Sequence, residues 1–161
     1  MSSCCQSNAC ETASRPPEAC PSSGSKGAPV ELETVKALLT EAALARLEPA
    51  SYRLCLDSAC DVVYFAGAGR TFARADVRVP VWQKEPAGAR TICYCFGENE
   101  ADIRTEIARG GGSHAVARVT DHIRAGRCAC EVRNPKGTCC LGDLAAAVTR
   151  MAAAVEPGTG V

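Results

Sequence analysis

Cysteine sets this sequence apart, with 12 among 161 residues beside only 2 histidines. Most of the cysteines come in close pairs. The pairs are Cys4-Cys5, Cys55-x4-Cys60, Cys93-x-Cys95, Cys128-x-Cys130 and Cys139-Cys140, to which Cys10 and Cys20 are added singly. So many thiols in a small chain form either a disulfide framework or a set of ligands for a metal ion or cluster.

The spacing favours metal ligation. Neighbouring thiols close strained rings when they are oxidised to each other, whereas they converge easily on a metal. The first twenty residues lack the basic segment and apolar segment of a secretory signal. We therefore expect a cytoplasmic protein whose thiols stay reduced. A further interpretation, in which the thiols are only buried small side chains, is disfavoured because free cysteines rarely cluster.

Two of the cysteine pairs precede predicted helices. Cys93 and Cys95 come before one helix, and Cys139-Cys140 comes directly before another. Unpaired backbone N–H groups and the helix dipole stabilise thiolates at such positions. Predicted helices between residues 98 and 125 allow the two groups to fold back onto one site. Four thiolates of this kind hold either a 2Fe-2S cluster or a tetrahedral zinc, and spacing alone does not decide between them.

The first half of the chain reads as one helix followed by a small antiparallel sheet. After Pro29, apolar residues recur at helical spacing from residue 32 to 47, and Pro49 ends the pattern. Strand-forming residues predict extended segments at 52–56, 61–65 and 70–73. Another extended segment follows at 77–81, where Pro80 favours an edge position.

The second half reads as helical after a linker at 85–88. Helices are predicted at 98–109, 116–123 and 141–155, with a turn at 134–137. The expected fold is therefore α+β, with a zinc-binding α+β domain at 20–86 and a helical 2Fe-2S domain at 89–155. Residues 1 to about 28 are poor in large apolar side chains and are predicted to be mostly disordered, with a cysteine-rich tail at 1–19.

Three strings of residues resemble known families. Cys93-Tyr94-Cys95, followed by a helical pair, resembles the 2Fe-2S domain of bacterioferritin-associated ferredoxins. Two further strings are similar to the N-terminal domain of CopZ-type copper chaperones, and the resemblance covers about residues 18 to 145. They are Cys130-x3-Asn-Pro-x-Gly-x-Cys-Cys140 and Cys55-x4-Cys60-Asp-Val-Val-Tyr-Phe. This resemblance implies a zinc site and a 2Fe-2S cluster.

The resemblance also implies which residues bind each group. The implied cluster ligands are Cys93, Cys95, Cys130 and Cys140, with Cys128 and Cys139 as alternatives to the last two. The implied zinc ligands are Cys20, Cys55 and Cys60. Ser23 stands where the family has a further cysteine, and serine is a poor zinc ligand. A tail thiol such as Cys10, the carboxylate of Asp61, or water is left as the fourth ligand. The alternative is a zinc-free half in which Cys55 and Cys60 are core residues.

Charge and motifs exclude several function classes. Lys and Arg together number 18, as do Asp and Glu, so the net charge is zero. This balance disfavours a nucleic-acid partner and a polybasic membrane surface. No apolar run is long enough to span a bilayer, and no Ser-His-Asp or paired-carboxylate motif indicates hydrolysis.

The residues and the resemblance together predict an iron–sulfur and zinc protein that transfers single electrons in the handling of copper or another soft metal. Reduction of Cu(II) to Cu(I) is one such reaction. The expected partners are copper and zinc ions and an electron donor or copper-handling protein. The alternative is a non-redox module that sequesters metal with Cys4, Cys5 and Cys10. A cluster-based sensor is disfavoured because no basic DNA-reading helix stands out.

Overall fold

A four-stranded antiparallel sheet forms the first part of the fold. The computed structural model describes residues 17–155. The strands lie in the order in which they follow one another along the chain: Ala28–Val30 (β1), Tyr52–Leu54 (β2), Val62–Phe65 (β3) and Thr71–Ala73 (β4). Every residue of β3 is buried, as its run of β-branched and aromatic side chains predicts. The extended segments predicted around β2, β3 and β4 are confirmed.

The predicted helix after Pro29 is interrupted in the structure. It forms two pieces, Leu32–Leu38 (α1) and Glu41–Leu44 (α2). Leu39 between them is extended and fully buried, and it forms a β-bridge with Val77. Thr40 starts α2 because its hydroxyl accepts the N–H of Ala43 at 3.3 Å. The prediction of one continuous helix was wrong because Leu39 and Thr40 fit helical spacing, although Leu39 is extended and Thr40 caps a new helix.

Two other segments differ from expectation. Residues 17–28 are folded: a β-bridge joins Ala19 to Lys26, and β1 pairs with β2. Pro29 lies in β1, an edge strand, where its missing N–H is tolerated. The segment 77–81 is extended at Val77 and Val81, but beyond the bridge at Val77 it joins no strand in the part of the chain that the structure describes. A 3-10 turn, Trp82–Lys84, follows it.

The second part is helical and begins with a short hairpin. The hairpin pairs Thr91–Cys93 (β5) with Glu98–Asn99 (β6), and neither strand was predicted. Four helices follow: Glu100–Ala108 (α3), Ala115–Arg124 (α4), Cys130–Arg133 (α5) and Leu141–Ala154 (α6). The three longer helices match the predicted ones, and α5 is too short for a periodic pattern to reveal it. The expected α+β class is confirmed.

Each part has its own apolar core. Val35, Leu39, Leu54 and Tyr64 belong to the core between the sheet and α1. The core of the helical part holds fully buried side chains from β5, α3, α4 and α6, including Ile92, Ile103, Val119 and Leu144. None of the helices described in residues 17–155 has the length and apolar character needed to cross a membrane.

Direct contacts join the two parts. Helix α1 packs against α5, and the Thr34 hydroxyl donates to the carbonyl of Glu131 at 2.6 Å. The buried Tyr64 hydroxyl donates to the carbonyl of Pro135 at 2.8 Å. Gly137 lies against Thr34 so closely that a Cβ there would be 2.6 Å from the threonine oxygen. Helix α1 and strand β3 therefore hold the chain between Cys130 and Cys140 in place.

Candidate metal centres

Three cysteines of the first part meet in one small group. The sulfurs of Cys20, Cys55 and Cys60 all lie within 4.8 Å of one another, and the residues are 2%, 0% and 8% exposed. The Cys20 and Cys60 sulfurs are 3.9 Å apart. Two thiolates bound to one tetrahedral zinc at 2.3 Å lie about 3.8 Å apart. This group, which we call the N-terminal thiol group, therefore has the donor type and spacing that fit zinc.

Local turns place these three sulfurs. Cys20 opens a turn in which its carbonyl accepts the N–H of Gly24 at 2.8 Å, and Gly24 has the positive φ of 72° that glycine tolerates. Cys55 follows β2 and donates its N–H to Val63. Cys60 closes a turn with Asp57. The sheet thus brings the Cys20 turn beside the Cys55–Cys60 loop.

A buried lysine holds the loop that carries Cys60. Lys84 is 4% exposed, and its ammonium donates to the carbonyls of Asp57 at 2.8 Å and Cys60 at 3.0 Å. A buried ammonium needs a compensating negative charge or polar partners. The two carbonyls are such polar partners, and thiolates holding a metal at the N-terminal thiol group would add a negative charge nearby. Nothing in the sequence distinguished Lys84 from a solvent-exposed lysine.

Hydrogen bonds and burial set the thiol pKa values differently within this group. Burial raises the pKa of the Cys20 thiol, but the backbone N–H groups of Ser23 and Ser22 outweigh it and bring the pKa to about 7. Burial is also the main cause of the raised pKa of Cys60. Because metal binding requires thiolates, the Cys20 turn is the part of the group most ready to bind.

The structure distinguishes between the candidates for a fourth zinc ligand. The Ser23 hydroxyl lies 3.6 Å from the Cys55 sulfur and accepts the N–H of Ser25 at 3.3 Å. Asp61 lies outside the N-terminal thiol group: its carboxylate is 74% exposed and is 3.8 Å from the Arg74 guanidinium. Cys10, like Cys4 and Cys5, lies outside the described residues. Ser23 is therefore the polar side chain that the structure places against this group.

Four cysteines of the second part lie as two pairs in one core cluster. Cys93 ends β5, Cys95 follows in the turn, Cys130 is the first residue of α5, and Cys140 directly precedes α6. The Cys95 and Cys130 sulfurs are 3.8 Å apart, and Cys93 and Cys140 lie close enough for each thiol to shift the pKa of the other. We call these four residues the C-terminal thiol group. The expected helix start after Cys140 is confirmed, whereas β6 separates Cys93 and Cys95 from α3, and the short helix that begins at Cys130 was not predicted.

Backbone N–H groups point at these sulfurs. Ala129 donates to the Cys95 sulfur at 3.3 Å, and Cys140 donates its N–H to the Cys130 sulfur. The Cys93 sulfur accepts the N–H groups of Phe96 and Cys95. Such donors stabilise thiolates and tune the potential of a cluster that they hold. The geometry around these sulfurs suits an anionic centre.

The four thiols differ in their acidity. The thiol of Cys140 donates to Cys93 and, against the effect of burial, brings the pKa of Cys93 to about 6. The same hydrogen bond, together with burial, raises the pKa of Cys140. Burial raises the pKa of Cys130 to about 12 despite the N–H that Cys140 donates. Each pair thus keeps a proton that a metal has to displace.

The alternatives Cys128 and Cys139 lie at the edge of this group. Cys139 is exposed and Cys128 is half-buried, whereas Cys130 and Cys140 are buried. Tyr94, between the two early cysteines, turns away from them. Its hydroxyl donates to the carbonyl of Pro80 at 2.6 Å and accepts the N–H of Trp82 at 3.0 Å. Tyr94 thereby fixes the Cys-x-Cys segment, a role that the sequence did not reveal.

Comparison with known proteins agrees with this geometry. Residues 17–78 match the family of CopZ-type zinc-binding domains, and this range contains the whole N-terminal thiol group. The fold is similar to the X-ray structure of the CopZ N-terminal domain from Archaeoglobus fulgidus, with a TM-score of 0.65 and 27% sequence identity. The similarity covers 80% of this chain and 95% of that one. No curated protein matches the sequence.

The two comparisons cover different extents of the chain. The structural similarity spans more of the sequence than residues 17–78 can supply, so it continues into the helical part. The first part is therefore similar to CopZ-type zinc-binding domains, and the cysteine group within it fits metal handling. The similarity of the second part to bacterioferritin-associated ferredoxins remains a prediction.

Proposed function

We propose that this chain is an electron-transfer protein for soft-metal handling. Its α+β domain at 20–86 binds zinc through Cys20, Cys55 and Cys60. Its helical domain at 89–155 binds a 2Fe-2S cluster. The proposed cluster ligands are Cys93, Cys95, Cys130 and Cys140.

The observation that carries this proposal is the pairing of the four sulfurs in the C-terminal thiol group. Cys95 and Cys130 have the separation of two ligands on one tetrahedral ion, and Cys93 and Cys140 form the other pair. Among the described residues, only the N-terminal thiol group brings three sulfurs within 4.8 Å of one another. Two pairs that do not merge into one such group favour two metal ions over a single zinc.

The chemistry that the second centre supplies is the transfer of one electron at a time. The chain's own part is to hold the four thiolates, to donate N–H groups to them and to bury the centre. Cys140 and Cys130 are 2% and 6% exposed, whereas Cys139 beside them is open to solvent. When Cu(II) is the acceptor, it gains one electron and becomes Cu(I), which thiolates bind strongly. The likeness to the CopZ N-terminal domain supports a role in handling such metals.

Anaerobic purification followed by metal and sulfide analysis tests the proposal. We expect two irons and two sulfides per chain together with one zinc, and an EPR signal after reduction. Cys95→Ser should lose iron and the signal but keep zinc, because it leaves the N-terminal thiol group intact. Cys139→Ser is the matched control and should keep both metals. Protein that contains zinc alone contradicts the redox function.

A further inference from the structure

We propose that the zinc site of this chain keeps an open coordination position beside Ser23, and that a small external thiol binds there. The inference rests on the proposed zinc binding by the N-terminal thiol group and concerns its fourth position. A closed structural zinc site has four protein ligands, whereas a site with three protein ligands leaves one position to water or a substrate.

The described residues supply three strong donors and no fourth. The three sulfurs lie within 4.8 Å of one another, and no other His, Cys, Asp or Glu of residues 17–155 shares that group. Asp61, the acidic residue next to Cys60, is largely exposed and faces Arg74 instead. Ser23 lies beside Cys55, but its oxygen already accepts a backbone N–H, and serine is a poor zinc ligand.

The side of the group next to Ser23 lies close to the surface. The three cysteines are almost fully buried, yet the turn that carries Ser23 lies at the surface. Pro21, Ser22 and Gly24 are exposed, and Ser23 is half-buried. The turn has only small side chains after the proline. This turn is therefore the side from which we expect a short thiol to approach a metal held by Cys20, Cys55 and Cys60.

A fourth thiolate takes a three-thiolate zinc from one net negative charge to two. The buried ammonium of Lys84, which donates to the carbonyl of Cys60 at 3.0 Å, supplies one positive charge near the site. Binding of an external thiol is a ligand exchange: the thiol releases its proton to solvent, and the thiolate displaces water from zinc without any change in oxidation state. The resulting centre has the same four thiolates as common structural zinc sites, which are stable in proteins.

Zinc K-edge EXAFS on the full chain tests this inference without interference from iron. We expect three sulfurs at about 2.3 Å and one oxygen or nitrogen at about 2.0–2.1 Å. Added 2-mercaptoethanol should change the shell to four sulfurs. Ser23→Cys should show four sulfurs from the start, ignore the added thiol and release zinc more slowly to a chromogenic chelator. Ser23→Ala should behave as the original chain does.

Each other result has a defined meaning. Four sulfurs in the untreated protein overturn the inference, and their loss when Cys4, Cys5 and Cys10 are all changed to serine assigns the position to the tail. Weaker zinc binding by Ser23→Ala in chelator competition also overturns it, because the serine oxygen is then the ligand. A three-sulfur shell that stays unchanged when the thiol is added also overturns the inference. A chain that binds no zinc refutes the proposed zinc site itself, which metal analysis separates from all of these outcomes.

Discussion

Removing the hydroxyl of Tyr64 changes one atom and tests the contact between the two parts of the molecule. This hydroxyl is fully buried in β3 and donates to the carbonyl of Pro135, in the turn between Cys130 and Cys140. Burial raises the pKa of this phenol, so it remains a neutral donor at all ordinary pH values. Tyr64→Phe removes the donor and leaves the side chain's packing in place.

The expected cost follows from the buried acceptor that is left behind. Leaving a buried carbonyl without its donor costs about 1–3 kcal/mol. A loss of about 2 kcal/mol lowers the Tm by roughly 4–8 °C for a chain of this size. We expect this decrease in thermal unfolding of the metal-loaded protein. Faster hydrogen exchange should be confined to the turn at residues 134–140 and the neighbouring α5.

Tyr52→Phe is the matched control. The Tyr52 hydroxyl is also buried and donates to a carbonyl, that of Glu48 at 2.9 Å, but both groups lie in the first part. This change should lower the Tm and leave exchange at 134–140 unaltered. If Tyr64→Phe leaves that exchange unchanged, or if both variants increase it equally, the Tyr64 hydroxyl does not hold the turn and the reasoning fails.

Three further changes test other contacts. Gly137→Ala places a side chain at a φ of 70° and against the Thr34 oxygen, so it should lower the free energy of unfolding in urea by more than about 1 kcal/mol. Gly97→Ala, at a φ of 75° but in open space, is the control and should lower it by less. The hydrogen bond from Arg46 lowers the pKa of Asp76, so the stability that the ionised carboxylate adds is present above pH about 4 and is lost as the pH falls through the lowered pKa. In acid titrations, Asp76→Asn should therefore make the free energy of unfolding depend less on pH. Lys84→Met should weaken zinc binding about ten-fold in chelator competition, and equal affinity would contradict its charge role.

Local chemistry made much of the candidate site predictable. The Cys-x-Cys segment and the Cys139-Cys140 pair identified residues that the fold brings together, because close thiols in a reduced chain have few other uses. The strand around Val63 was predictable for a similar reason: four consecutive strand-forming residues suit a strand buried on both faces.

The remaining features depend on contacts between residues distant in sequence. Lys84 reads as a surface residue until the loop with Asp57 and Cys60 surrounds its ammonium. Leu39 fits a helix by spacing, yet its backbone pairs with Val77. Tyr94 has partners from the segment that follows Val79. Periodicity describes one element at a time, so it is insensitive to all three contacts.

The segment from Pro80 to Lys84 contacts the loop that carries Cys60 and also Tyr94, which lies between Cys93 and Cys95. Lys84 hydrogen-bonds to the loop that carries Cys60, and the backbone of Pro80 and Trp82 hydrogen-bonds to the side chain of Tyr94. Two paramagnetic ions, one in each group, should therefore give a single narrow dipolar distance in pulsed EPR. The two proposed metal sites would then be held at one fixed separation, even though the two halves have separate cores.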